Sequence, residues 1–169
     1  DINARLSELN TVFAQNLLKE TKGFELVITE ESELAGLPAA QIGSARSKAE
    51  SKNRPDAWVF GLDRATFESF MTFADNRELR KQMFDGYRSR GGQGGENDNR
   101  DVLSEMANLR AERAELLGYA SHSEYQLETR MAKTPQNVFD LLNRLWDASL
   151  PIAKREAKEL QAMIDREGG

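Results

Sequence analysis

The stretch TPQNVFDLLNRLWDASLPIAKREAKELQAMI (134–164) decides the fold class of this chain. Thr134 followed by Pro135 is a typical helix start, because threonine caps the first turn and proline is tolerated at its first position. Apolar residues then recur every three or four positions, which places them on one helix face. They are Val138, Leu141, Leu142, Leu145, Ile152, Leu160 and Ile164. The stretch therefore predicts one long amphipathic helix.

Upstream, the chain is also mainly helical, with two short strand candidates. The segments FELVI (24–28) and AWVFGL (57–62) predict the strands of a small ribbon, which needs packed helices to be stable. A helix precedes the first strand, and an alanine-rich helix over 38–53 separates the two. Because its apolar stripe is thin, we expect that second helix to be exposed.

The centre of the chain predicts further helices with recognisable caps. Asp63 is a good N-cap for the helix that carries Phe67 and Phe70, and Ser121 with Glu124 forms a capping box. We expect the aromatic residues on apolar stripes to be core. They are Trp58, Trp146, Phe67, Phe70, Phe84 and Phe139. The predicted fold class is mainly α, a helical bundle-like segment with a two-stranded ribbon near 24–28 and 57–62.

Composition excludes several classes of function. The chain has 169 residues, a net charge of −5, one histidine and no cysteine. The acidic balance argues against a nucleic-acid partner, and the absence of cysteine removes disulfides, thiolate metal sites and thiol nucleophiles. The sequence contains no run of about 18 apolar residues, so it predicts no membrane-spanning helix.

The remaining motifs favour structural interpretations. His122 has Gly118 and Gln126 four positions away, so it lacks the helical partner of a two-histidine metal site and is interpreted as a partly exposed residue at a helix start. GGQGGENDN (91–99) lacks the Gly-Lys-[Ser/Thr] of a phosphate loop and is interpreted as a flexible Gly-rich loop, 91–96, before a helix cap.

Arginines close to the apolar stripes need partners if they are partly buried. We expect Arg77, Arg80, Arg110 and Arg113 to tie helices together through Asp75, Glu105 or Asp98. A role in facing substrate is the alternative.

Three segments together resemble a known family. They are DNRELR (75–80), NDN (97–99) and LRAERAELLGY (109–119), the last followed by Met131-Ala132-Lys133-Thr134-Pro135. In this order and spacing the chain resembles the zinc metallopeptidases of the thimet oligopeptidase, oligopeptidase A and bacterial peptidyl-dipeptidase (dipeptidyl carboxypeptidase) family. The peptidyl-dipeptidase branch is the expected nearest relative.

The resemblance implies a parent enzyme that uses zinc, held by an H-E-x-x-H motif and a downstream glutamate, to hydrolyse short peptides and release C-terminal dipeptides. His122 is followed by Ser123 and Glu124, so the motif is not in this sequence. We therefore assign no catalytic residue, no cofactor-binding residue and no metal ligand. The chain is expected to be a single helical scaffold fragment, 1–169, upstream of the catalytic zinc domain.

The same resemblance sets the expected partners. They are short peptides and the catalytic half of the parent, with no nucleic acid and no membrane, and we expect the isolated chain to self-associate through uncovered apolar surface. A cytoplasmic location is expected, with the periplasm as the alternative. A non-catalytic helical protein-interaction module is the competing function, and an unrelated helical binding domain is the third.

Overall fold

The sequence folds mainly into helices, as its periodicity predicts. The computed structural model describes residues 1–168. The elements are α1 (Ile2–Gly23), β1 (Leu26–Ile28), a 3-10 helix (Glu31–Leu34), α2 (Ala39–Glu50), β2 (Trp58–Phe60), α3 (Arg64–Phe73), α4 (Arg77–Arg88), α5 (Arg100–Leu116), α6 (His122–Leu127) and α7 (Pro135–Arg166). The predicted fold class is therefore confirmed.

The two strands pair as predicted. β1 and β2 are antiparallel, with Leu26 opposite Phe60 and Ile28 opposite Trp58. Both ends of β1 are buried while the residue between them is exposed, which is the alternation expected of a ribbon with one covered face.

The chain divides into two compact units, the first from Asp1 to Ala107 and the second from Asn108 onward. The core of the first unit lies between the ribbon and helices α2, α3 and α4. Phe60 and Phe70 meet edge to face there, with ring centroids 5.1 Å apart, and both are almost fully buried. Met83 of α4 and Ile28 of β1 are buried in the same cluster.

Helix α2 corrects one prediction. The helix is exposed on one side only, because Ala45 and Ala49 are buried and Ala49 packs with Ala57 and Val59 beside β2. Alanine contributes little to an apolar stripe, so the hydrophobic pattern of α2 does not reveal that one of its faces is buried. Its small side chain nevertheless allows a helix to approach a strand closely.

The predicted caps are present. The Asp63 carboxylate accepts a hydrogen bond from the Thr66 N–H at 3.0 Å, and Thr134 accepts one from the Asn137 N–H at 3.3 Å. Helix α7 continues from Pro135 through an internal proline, Pro151. Within residues 1–168, no helix is both long and apolar enough to span a bilayer.

Candidate functional site

His122 occupies the start of α6, as predicted. Ser121 caps this helix by accepting a hydrogen bond from the Glu124 N–H at 3.2 Å. The Glu124 carboxylate accepts from the N–H of Ala120 at 3.0 Å, so the capping box closes one residue earlier than its usual form. The His122 side chain is partly exposed.

The surroundings of His122 do not favour catalysis. Burial lowers the pKa of the imidazole below its ordinary range, and the positive charges of Arg110 and Arg113 lower it further. Within the described residues, its buried Nδ1 atom has no hydrogen-bond partner. A catalytic histidine is usually oriented by a hydrogen bond to its second nitrogen. The ring is better explained as a structural group at the helix start.

Aromatic contacts hold the turn in front of α6. The guanidinium of Arg113 lies 5.2 Å from the ring centroid of Tyr125, whose ring meets that of Tyr119 at 5.3 Å. The Tyr119 hydroxyl donates a hydrogen bond to the Glu128 carboxylate, which raises the pKa of the phenol. These contacts are local and account for the side chains without a ligand.

The structure corrects the predicted partners of the arginines. Arg80 donates to the backbone carbonyls of Ala74 and Asp75 rather than to a carboxylate. Glu105 forms a two-pronged ion pair with Arg5 of α1, at 2.6 and 2.8 Å. The sequence pattern does not predict the pair of Arg5 and Glu105, because the two residues are 100 positions apart.

Asp98 also has a different partner, and it closes the Gly-rich loop. Its carboxylate pairs with Arg100 at 2.5 Å and accepts hydrogen bonds from the backbone N–H groups of Arg100 and Gly94. The guanidinium and the backbone donors hold the pKa of Asp98 well below its usual range. The Asp98 carboxylate therefore occupies the backbone N–H groups that a phosphate-binding loop would offer to a phosphate. The flexibility of the loop stays a prediction.

A buried amide pair ties this loop to α1. Asn16 donates through Nδ2 to Oδ1 of Asn99 at 3.0 Å, and Asn99 donates through Nδ2 to the Phe13 carbonyl at 3.2 Å. The two asparagines are 8% and 2% exposed. Gly91 allows the close approach, since a Cβ there would lie 3.0 Å from Asn99 Nδ2. The NDN motif predicts a helix cap, and nothing local in it predicts this contact.

The chain's own residues do not fit a zinc centre. Across residues 1–168, no three or more His, Cys, Asp or Glu side chains come together as a metal-binding group. A hydrolytic zinc site requires about three protein ligands and an open position.

Helix α7 of the second unit carries an extended apolar surface that is exposed. We call it the α7 apolar face. Its bulky members are Val138, Phe139, Leu142, Leu145, Trp146, Leu160, Met163 and Ile164. Phe139 and Trp146 are 57% and 63% exposed, so the prediction that they are core is wrong, as it is for Phe84 at 46%. The side chains around Trp146 line a depression of about 400 Å³. An interaction surface is the main site that this geometry offers.

Comparisons with known proteins show which family and which relatives the chain resembles. The family model described as "Peptidase family M3" matches residues 70–169. The chain is 39% identical to "Oligopeptidase A" of Haemophilus influenzae and 35% identical to "Oligopeptidase A" of Escherichia coli K12, in each case over 100% of the chain and 25% of the relative. It is 27% identical to "Dipeptidyl carboxypeptidase" of Escherichia coli K12, over 99% of the chain and 25% of the relative. The chain thus spans about a quarter of the length of the curated relatives it matches.

Proposed function

Since the chain belongs to peptidase family M3, we propose that it is a scaffold segment of a larger zinc-dependent peptidase that hydrolyses short peptides. One observation carries the proposal: the family model matches more than half of the chain, and the relatives that match the whole chain are about four times as long as it is. The zinc ligands and the catalytic glutamate belong, in this proposal, to another part of the parent polypeptide.

The proposed role of the segment is to position and support the wall of the substrate channel. Its first unit supports this role, because the ribbon and helices share a well-packed core, and the Asn16–Asn99 contact joins α1 to the loop before α5. Buried polar contacts of this kind specify one arrangement of helices rather than several. The second unit contributes the long α7, which offers a surface rather than a set of catalytic groups.

We propose an oligopeptidase activity for the parent, with release of C-terminal dipeptides as the second candidate. The sequence resemblance suggested the dipeptide-releasing branch. However, the chain is more similar to the two proteins named oligopeptidase A than to the one named dipeptidyl carboxypeptidase, at 39% and 35% against 27% identity. This difference favours the first activity over the second.

The experiment begins with the gene, read onward from the codon for Gly169. An H-E-x-x-H motif followed by a glutamate is the expected result, and a stop codon would favour the non-catalytic interaction module instead. The full-length protein is then expected to cleave short peptides, to lose activity on chelation, and to regain it with zinc. A matched substrate pair, one with a free C-terminal carboxylate and one amidated, separates the two activities. Cleavage of both peptides supports an oligopeptidase, whereas cleavage of the free acid alone, two residues from its end, supports dipeptide release.

For the parent we also propose a cytoplasmic location. One relative is named "Probable cytosolic oligopeptidase A", and it is 33% identical to the chain. Another relative from the same plant, Arabidopsis thaliana, is named as organellar. Fractionation of the source cells, with a periplasmic fraction where one exists, is therefore the deciding measurement.

A further inference from the structure

The α7 apolar face has the pattern of a helix-packing seam. Its central positions are Leu142, Trp146, Ser149, Ala153, Glu156, Leu160 and Met163, which are spaced alternately by four and three residues. This spacing is typical of helices that pack along their length. The helix of 32 residues is about 48 Å long, at about 1.5 Å per residue. The surface is therefore long enough to receive another helix over several turns.

The size of the side chains varies along this seam. Leu142 and Trp146 make one end bulky, and Leu160 and Met163 do the same at the other end. Between them lies the small residue Ala153. Small residues allow two helix axes to approach to about 8 Å. A partner helix would therefore cross α7 most closely near Ala153 and diverge towards the two bulky ends.

One charge interrupts the apolar face. Glu156 lies on the central line, and its neighbours three and four positions away are Ile152, Ala153, Glu159 and Leu160. None of these four same-face neighbours is a cation. In the part of the chain that the structure describes, no ion pair joins Glu156 to the lysines and the arginine one or two positions away, which project to other sides of the helix. Arg155 is directed to Glu159 at 3.9 Å. Covering the face with purely apolar side chains would bury an unpaired carboxylate, which is strongly unfavourable.

We propose that a helix from the remaining polypeptide of the parent packs along the α7 apolar face and places an arginine or lysine against Glu156. This inference rests on the proposed function, since it requires a longer parent. The relatives leave about three quarters of their length outside the match, so the parent has ample chain to supply the helix. A buried ion pair at a single seam position also sets the register of the two helices.

A second copy of this chain is a poorer occupant. An antiparallel pair of α7 helices centred near Ala153 would bring Glu156 against the seam positions Ser149 and Ala153 of the other copy, which carry no charge. A parallel pair in register would place the two Glu156 carboxylates together. Neither arrangement brings a cation to the seam, whereas a different helix can carry one. Self-association of the isolated chain stays a prediction, but this charge disfavours α7 as its seam.

The first test is cysteine labelling of the full-length parent, with its other cysteines replaced by serine. The present chain contains none, so single substitutions are clean probes. Leu142→Cys and Leu160→Cys report on the seam, and Arg144→Cys and Lys158→Cys on exposed α7 positions outside it. We expect the seam cysteines to react at least about tenfold more slowly with a thiol reagent, because they become accessible only by local opening.

Three outcomes of labelling would overturn the proposal. Equal rates at seam and outside positions would mean that nothing covers the face. Protection already present in the monomeric 169-residue chain would assign the cover to this chain itself, and protection that disappears on dilution would assign it to a second copy. Labelling requires no peptidase activity, so a protected seam in a protein without zinc-dependent cleavage would refute the proposed function alone.

The second test addresses the predicted cation. Glu156→Lys reverses the charge at the seam, and Glu159→Lys makes the same change on the flank, where only an exposed ion pair is lost. We expect Glu156→Lys to lower the urea midpoint of the full-length protein clearly and to speed the labelling of Leu160→Cys. Glu159→Lys should leave both nearly unchanged. Equal effects of the two substitutions would show that no cation of the parent faces Glu156.

Discussion

The Asn16–Asn99 contact predicts a large loss of stability from a small polar deletion. Asn99→Ala removes the hydrogen bond that Asn16 Nδ2 donates and the one that the Phe13 carbonyl accepts, at 3.0 and 3.2 Å. The Asn16 amide is 8% exposed and would lose a partner without gaining water. The perturbation is therefore more severe than the removal of a surface amide.

The expected magnitude follows from these contacts. Two net hydrogen bonds contribute roughly 1 kcal/mol each, and a buried donor left without a partner costs about 1–3 kcal/mol. Since these contributions overlap, we expect Asn99→Ala to lower the free energy of unfolding by about 2–3 kcal/mol. Asn16→Ala should cost about 1–2 kcal/mol, because it removes one bond and leaves the Asn99 carbonyl oxygen unpaired. The double variant should cost about 1 kcal/mol less than the sum of the single variants.

The assay is urea unfolding followed by tryptophan fluorescence. The chain has two tryptophans, so a Trp146→Phe background leaves Trp58 as a reporter of the first unit. A slope of about 1–2 kcal/mol per molar urea converts a loss of 2 kcal/mol into a midpoint lower by about 1–2 M. Gln15→Ala is the matched control, because Gln15 is the exposed amide next to Asn16 on α1.

Two results would refute the reasoning. If Asn99→Ala shifts the midpoint no more than Gln15→Ala does, the buried pair contributes nothing beyond a surface amide. If the effects of the two single alanine variants add fully in the double variant, the asparagines do not act through each other.

The other predictions concern two glycines and the histidine. Gly36→Ala should lower the free energy of unfolding by roughly 2 kcal/mol or more, since Gly36 has a φ of +85° and a Cβ there would lie 2.0 Å from the Phe73 carbonyl oxygen. A thermal midpoint close to that of the unsubstituted chain would contradict this. Gly43→Ala should instead add about 0.5–1 kcal/mol in the same measurement, because Gly43 lies inside α2 with nothing within 4 Å of a Cβ, and a lower midpoint would count against it. The pKa of His122 in the folded chain lies below its ordinary value of 6.5, so the unfolded chain takes up a proton on His122 at a higher pH than the folded chain does. His122 should therefore not affect the stability above about pH 6.5, and the stability should fall as the pH drops below 6.5. Unfolding between pH 5 and 8 should show a weaker acid loss for His122→Gln, and identical pH profiles would argue against the burial of the ring.

Local features of the sequence predicted a large part of this structure. The caps at Asp63, Ser121 and Thr134, the ribbon and the long helix of 134–164 all depend on residues within a few positions of each other. Hydrophobic periodicity and capping are short-range effects, so they can be detected without knowing the fold. The family was also predictable, because it rests on motifs whose order and spacing are directly visible in the chain.

Tertiary structure alone decided the partners and the exposure of the side chains. Arg5 meets Glu105, and Asn16 meets Asn99, across 100 and 83 positions, and no periodicity specifies such pairs. Exposure is likewise not a local property: the stripe on α7 predicted core residues, yet Trp146 is 63% exposed. An amphipathic pattern shows that a helix has an apolar face. Whether that face is covered depends on which other parts of the polypeptide pack against it, since burial is a relation between surfaces and not a property of one segment.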